Sequence, residues 1–454
     1  MSVRYLSEQE ARELTRRILE RSRADECRVR VQSGVAGNTR FALNQVTTAG
    51  DVYDTEVTIT SAFGKRSGSA NTNSLEGAAL AEALATSERL ARLAPEDPEH
   101  MPALGPQQYA AVPAWFETTA GMTPEVRARA VESATRVAAD RGAEAAGYLI
   151  QVAGSTALAN SAGLFAYHRR TAVHYTVTAR TPNGTGSGWA GGAHNDWRRI
   201  DAGWIGRTAA DKAVRARAPQ PLEPGRYTVI LEPTAVGNLL QLVGFSLFGQ
   251  ALSARQADEG RSFFSRPGGG NRIGEQIADA RVTMWSDPAD PELLTSPFDG
   301  SGLPLRRIVW VENGMLKNLV YDRFWAQKQG TAPTGSPTGV RMAGGDSSLD
   351  QMIASTERGI VVTRFWYIRS LDPRTLLFTG LTRDGTFLVE NGRVTRPLYN
   401  FRFNESPIQM LRNIELIGRA TRVSASESGD IGAAIVVPPL KVRDFNFASL
   451  SEAV

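Results

Sequence analysis

Leu231-Glu232-Pro233-Thr234-Ala235-Val236-Gly237-Asn238-Leu239-Leu240, running on into Gln241-Leu242-Val243-Gly244-Phe245-Ser246, is the stretch at which the chain changes character. It follows a strand-like run, 227–231, and is apolar on every side: Val236, Leu239, Leu240, Leu242, Val243, Phe245, Leu247 and Phe248. A helix apolar all round is a buried helix, so a packed helix is expected over 234–252. Before this stretch, helices and strands come in a pattern that occurs twice. After it, strand signals dominate.

The first pattern opens with Ser7-Glu8-Gln9-Glu10, a capping box, with Ala11, Leu14, Ile18 and Leu19 at helical spacing. Strand-like runs follow at 27–32, 39–47, 52–63 and 65–71, then an Ala- and Leu-rich helix over 74–93 and a proline-rich linker, 94–113. Thr123-Pro124 is an N-cap and first-turn pair that begins the second pattern. Its helix runs to about Arg141, its strands lie at 147–152, 164–167, 171–180 and 184–190, and its last helix spans about 202–216. The expected fold class is therefore α+β: an N-terminal unit of helix, four strands and helix, repeated once. A mainly-β C-terminal domain with a coiled or barrel-like sheet follows. Glu312-Asn313-Gly314 and Glu390-Asn391-Gly392 mark hairpins in that domain, because Asn-Gly accepts the positive φ of a tight turn. The small, polar stretch 331–346 reads as an exposed mobile loop. The expected domains are 1–93, a linker 94–113, 114–222 and 223–454.

The bulk composition, 42% hydrophobic and 22% charged over 454 residues, is that of a globular protein. No apolar run reaches the length of a membrane span. Met1-Ser2-Val3-Arg4 leads into a polar amphipathic segment and not a signal sequence, so a cytoplasmic location is expected. The net charge is only +4, from 51 basic against 47 acidic residues, and the arginines are spread among acids. Nucleic-acid binding needs a basic stripe, and none is present. The one cysteine, Cys27, rules out an intramolecular disulfide and sits in an alternating run that reads as packed.

Several separated motifs then resemble, in order, the TldD/PmbA (modulator of gyrase) peptidase family. They include Asn44-Gln45-Val46-Thr47, Gly64 to Asn73, Pro95-Glu96-Asp97-Pro98 and Glu223-Pro224-Gly225-Arg226-Tyr227. The Leu231 to Leu240 segment, Phe298 to Pro304, Val311 to Lys317 and Leu388 to Val394 continue the series. The resemblance implies two kinds of subunit. One carries zinc on two histidines of an HExxxH helix and a late cysteine. The other, the TldE/PmbA type, lacks those ligands and pairs with the first to cleave unfolded or leader-type peptides. The ungapped matches to the two histidines are Gln241 and Ser246, and the match to the general base is Leu242. The late segment Ser424-Ala425-Ser426-Glu427-Ser428-Gly429-Asp430 holds no thiol. Zinc takes imidazole, thiolate or carboxylate ligands, and the matched positions offer none.

Other chemistry is weakly signalled. His168 and His174, about 20 Å apart on an unbroken strand, cannot share a metal, and His100 and His194 add no convergent set. Ser187 and Ser262 lack a nucleophile elbow or an assignable base. Pro267-Gly268-Gly269-Gly270 lacks the Lys-Ser/Thr of a phosphate loop. The expected function is thus a zinc-less subunit of a TldD/TldE-type metallopeptidase complex. It would carry no catalytic or metal residue of its own, complete the chamber, and hold peptide for a zinc-bearing partner, in which the zinc is expected. The alternatives are a nucleic-acid or gyrase-associated regulator and a stand-alone hydrolase with an unrecognised site.

Overall fold

The structure is a computed structural model and describes residues 5–182, 184–243, 252–426 and 431–451. Helix α1 (Glu8–Leu19) starts at Ser7, whose hydroxyl and Glu10 form the expected capping box. It is followed by β1 (Glu26–Ala42), β2 (Gln45–Phe63), β3 (Arg66–Thr72) and α2 (Gly77–Leu93). The second unit runs α3 (Pro124–Asp140), capped by Thr123, then β4 (Glu144–Asn160), β5 (Phe165–Arg180), β6 (Ser187–His194) and α4 (Ala202–Arg215).

Each unit has three long strands where the sequence suggested four. The runs 27–32 and 39–47 are separated by Gly34 and Gly37, which read as a break but lie inside β1. Gly34 faces Gly154 of β4, and a Cβ on Gly34 would stand 2.5 Å from the Ala153 carbonyl oxygen. Glycine here permits close strand approach. The real turn falls at Leu43 and Asn44, both at positive φ. The same happens in β5, which runs unbroken through His168, Arg169 and Arg170.

The two units join in one antiparallel sheet, ordered β3-β2-β1-β4-β5-β6. Period-two alternation divides its side chains. Leu149, Val173, Tyr175 and Val177 pack under α3 and α4 with Ala134, Ala138, Ile205 and Ala209. The other face carries Tyr148, Ile150, His168, His174 and Trp189 and looks toward the C-terminal region.

That region is built on a closed barrel. The strands β7 (Gly225–Leu231), β8 (Arg358–Asp372), β9 (Leu377–Glu390), β10 (Asn400–Glu405) and β11 (Leu440–Ser451) pair in the cycle β8-β7-β11-β10-β9-β8. Closure removes the free sheet edges. Phe365, Phe401, Phe403, Phe445 and Phe447 are fully buried and touch ring to ring, with Phe365 stacked on Phe445 at 5.5 Å. Each such side chain contributes roughly 2–3 kcal/mol by burial. A second, six-stranded sheet ends in Gly339–Met342, Ala434–Val437 and Thr421–Val423. Asn313-Gly314 and Asn391-Gly392 adopt the expected paired positive φ.

The stretch 331–346 exposes Thr331, Ala332, Ser336 and Thr338 in its first half, but its second half is not the loop expected from its composition. It contains Gly339–Met342, in which Val340 and Met342 are fully buried, paired with both Ala434–Val437 and Met284–Ser286. Gly344 and Gly345 lie so close to the 417–420 backbone that a Cβ on either would collide with it. Gly344 and Gly345 here serve tight packing.

Candidate functional site

The apolar segment that opens the C-terminal region forms α5 (Pro233–Leu240), in which Thr234 to Leu240 are all buried, and then a 3₁₀ turn, Gln241–Val243. Helix α5 lies on the barrel strand β8 and on the end of the second sheet. A Cβ on Gly237 would come within 2.7 Å of Val423 Cγ2, so glycine sets this approach. The helix buries the Asn238 carboxamide, which is satisfied on both sides. Its Nδ2 donates to the Ala425 carbonyl at 2.8 Å, and its Oδ1 accepts from Phe365 N–H at 3.0 Å. Gln241 Nε2 donates to the same Ala425 carbonyl at 2.9 Å and to the Asn238 carbonyl at 3.3 Å.

The helix end and the late segment therefore meet, as a ligand set shared between them would require. What joins them is a seam of carboxamide N–H groups and one carbonyl. A carboxamide donating through nitrogen is not a zinc ligand, and Leu242, half-buried against the barrel core, offers no lone pair. These residues do not fit the metal. Ser246 and Glu427 to Asp430 lie outside the described residues. Among the described residues no group of three His, Cys, Asp or Glu converges on a point.

The sheet face closes on this seam from the other side. His174 Nδ1 lies 3.3 Å from Ser424 Oγ. Arg422 donates to Asn195 Oδ1 at 2.6 Å and to the Glu292 carbonyl at 3.0 Å, and burial pulls its pKa down to about 10. Burial, with Arg422 beside it, also holds the His194 imidazole down at about 4. His168 is held at about 4 by burial first and Arg170 second. Both histidines are interior, and His194 Nδ1 accepts the Asp196 N–H at 2.9 Å. Among the described residues the Nε2 atom of each has no hydrogen-bond partner.

A third group escaped the sequence reading entirely. Asp384, fully buried in β9 at φ +56, accepts from Ser187 Oγ at 2.5 Å and, through Oδ2, from Nε (2.8 Å) and Nη2 of Arg364. Burial works to raise its carboxyl, but Arg364, Ser187 and Arg383 hold it below the usual range. Ser187, considered above as a nucleophile, is committed to this carboxylate. The only hint in the sequence is Asp384-Gly385 in the middle of a strand run, a turn dipeptide where no turn is needed. Between this pair and the sheet face lies an open cleft of ≈ 380 Å³, walled by Arg40 and Tyr148, Trp189 and Arg364, with Ser426 at its late-segment end.

The remaining candidates are structural. Cys27 is 1% exposed, and burial raises its thiol pKa. Ser262 caps a local turn at Phe264, and Gly268, Gly269 and Gly270 form a positive-φ loop. His100 lies 3.6 Å from Glu26.

Comparison with known proteins gives the arrangement its context. Three domain models of the PmbA/TldA metallopeptidases match in order: domain 1 over residues 27–91, the central domain over 120–217 and the C-terminal domain over 224–449. The chain belongs to the PmbA/TldD metallopeptidase family. It is 24% identical over 322 residues to a metalloprotease of Methanothermobacter thermautotrophicus, covering 65% of this chain and 67% of that protein. Against metalloprotease PmbA of Escherichia coli O157:H7 it is 24% identical over 246 residues, 53% of this chain and 50% of that protein. Its fold matches TldE of Thermococcus kodakarensis with a TM-score of 0.82 at 22% identity, over 96% of this chain and 100% of that one. A modulator-of-gyrase protein of Thermotoga maritima matches at 0.81 and 18%, with the same coverage. Among the described residues no helix is long and apolar enough to cross a membrane.

Proposed function

We propose that this chain is the zinc-less subunit of a cytoplasmic metallopeptidase pair, holding unstructured peptide and completing the chamber of a zinc-bearing homologue. The observation that carries the reading is the seam of Gln241, Asn238 and Ala425. It occupies the junction of helix and late segment where the resemblance implies ligands, and it spends the matched position on structure.

A free strand edge supports pairing. Residues 45–56 of β2 extend past β3, which pairs only with 57–63, and expose Val46, Val52 and Tyr53. An unpaired edge with exposed apolar side chains can accept a strand of another chain. A role on nucleic acid draws no comparable support, since phosphate tracking requires clustered cations. Co-expression with a zinc-bearing homologue from the same source, followed by size-exclusion chromatography and peptide cleavage, tests the proposal. A stable pair that cleaves, from subunits of which this one alone does not, is the expected result.

A further inference from the structure

The cleft beside the seam carries positive charge that completing a chamber does not explain. Among the described residues no carboxylate lines it. Arg40 enters from β1, solvent-exposed, with its guanidinium 4.8 Å over the Tyr148 ring and no ion pair among the described residues. Arg364 forms the opposite wall at 8% exposure, 5.2 Å over the Trp189 ring. Its Nε and Nη2 are fixed on Asp384 Oδ2, and Nη1 carries no hydrogen bond among the described residues. Arg383 Nε lies 3.8 Å from the same oxygen. Arg364 is thus fixed on the buried carboxylate, and Arg40 adds a guanidinium across the cleft.

Arg364 is pre-organised. Asp384 is in the left-handed region, where a residue other than glycine persists only when its surroundings determine it. Ser187 and Arg364 supply that determination, so the guanidinium that faces the cleft is held by a rigid support. Water is partly excluded around it, which strengthens a charge-assisted hydrogen bond.

We infer that this cleft binds a carboxylate of the extended peptide, between Arg40 and Nη1 of Arg364, with Tyr148 and Trp189 covering the adjoining chain. The inference rests on the peptide-holding reading above. A monoanion matches one exposed guanidinium and one fixed donor, whereas a phosphodiester strand requires a stripe of cations. Ser426 borders the cleft one residue beyond the carbonyl that holds Gln241, so the bound group anchors peptide beside the seam. The carboxylate can be the chain terminus or an Asp or Glu side chain.

The test uses the full chain, alone and paired with its zinc-bearing homologue, and fluorescence anisotropy of an N-terminally labelled unstructured peptide. The peptide is made in three forms: free C-terminal acid without acidic side chains, the corresponding amide, and the amide with one internal Asp. The acid is expected to bind about ten-fold more tightly than the neutral amide. Arg40→Gln removes that preference without changing the thermal melt, and Arg40→Lys keeps part of it. If the Asp-bearing amide binds like the acid, a side chain serves as well as the terminus; if it binds like the neutral amide, the terminus is the ligand. Equal binding of acid and neutral amide, or a preference that survives Arg40→Gln, overturns the inference and leaves peptide holding intact. Binding of no form, alone or paired, overturns both.

Discussion

Gln241 donates its side-chain amide to the backbone carbonyl of Ala425 at 2.9 Å, across 184 residues of chain. The same carbonyl accepts from Asn238 at 2.8 Å. One oxygen therefore ties the end of α5 to the late segment, at the junction where the family resemblance implies a metal would do so.

This junction should behave as structure. Asn238→Ala leaves the Phe365 N–H without its acceptor and removes one of the two donors to Ala425. With a buried unpaired group costing about 1–3 kcal/mol, the variant is expected to lose roughly 2–4 kcal/mol in urea unfolding. Gln241→Ala, at a half-buried position whose loss leaves Ala425 still paired, is expected to lose only about 1 kcal/mol. Equal losses would mean the two amides do not divide the work as the geometry indicates.

Replacing Gln241 by His supplies one imidazole and no companion ligand. The parent and the Gln241→His variant are both expected to hold far less than one zinc per chain by elemental analysis after dialysis. Stoichiometric zinc in the parent would show a site that these residues do not explain.

The buried ion pair gives a sharper energetic test. Arg364→Met strands Asp384 in the interior, and breaking such a pair by removing one partner costs about 3–5 kcal/mol. Arg364→Met combined with Asp384→Asn removes the stranded charge and is expected to recover much of the loss. A single variant as stable as the parent would mean that Asp384 finds its charge balance elsewhere.

Acid stability follows from His168 and His194, which burial holds at about 4 in the folded chain against about 6.5 when unfolded. The lowered folded value means the unfolded state binds more protons between these limits. Their contribution is complete above pH 6.5 and is lost as pH falls toward 4, on the order of 3 kcal/mol for each. Nδ1 of His194 accepts the Asp196 N–H, so asparagine is a reasonable neutral replacement. The parent should lose more stability than His168→Gln/His194→Asn between pH 7 and pH 4. Parallel curves would place both imidazoles in contact with water.

Much of this was legible in the chain, and the failures have physical causes. The helix caps at Ser7 and Thr123 and the Asn-Gly hairpins were readable because their signals are local. The barrel was expected as a coiled or closed sheet, since strand density carries that information. The strand count failed at Gly34, because a glycine that allows two backbones to touch looks like one that turns the chain. The second half of 331–346 failed for the same reason: Gly344 and Gly345 pack against the 417–420 backbone. The Arg364 and Asp384 pair joins elements with Ser187, 197 residues away from Asp384, and no local pattern announces such a contact.

The central claim, that this chain works as the zinc-less half of a peptidase pair, is tested most directly by reconstitution. The chain, its zinc-bearing homologue and the two together are incubated with a labelled unstructured peptide, and cleavage is followed by mass spectrometry. The account predicts cleavage by the pair, none by this chain, and little by the homologue alone, with the pair eluting as one species at micromolar concentration. Cleavage by the homologue alone at the rate of the pair, or failure of the two to associate, would contradict it.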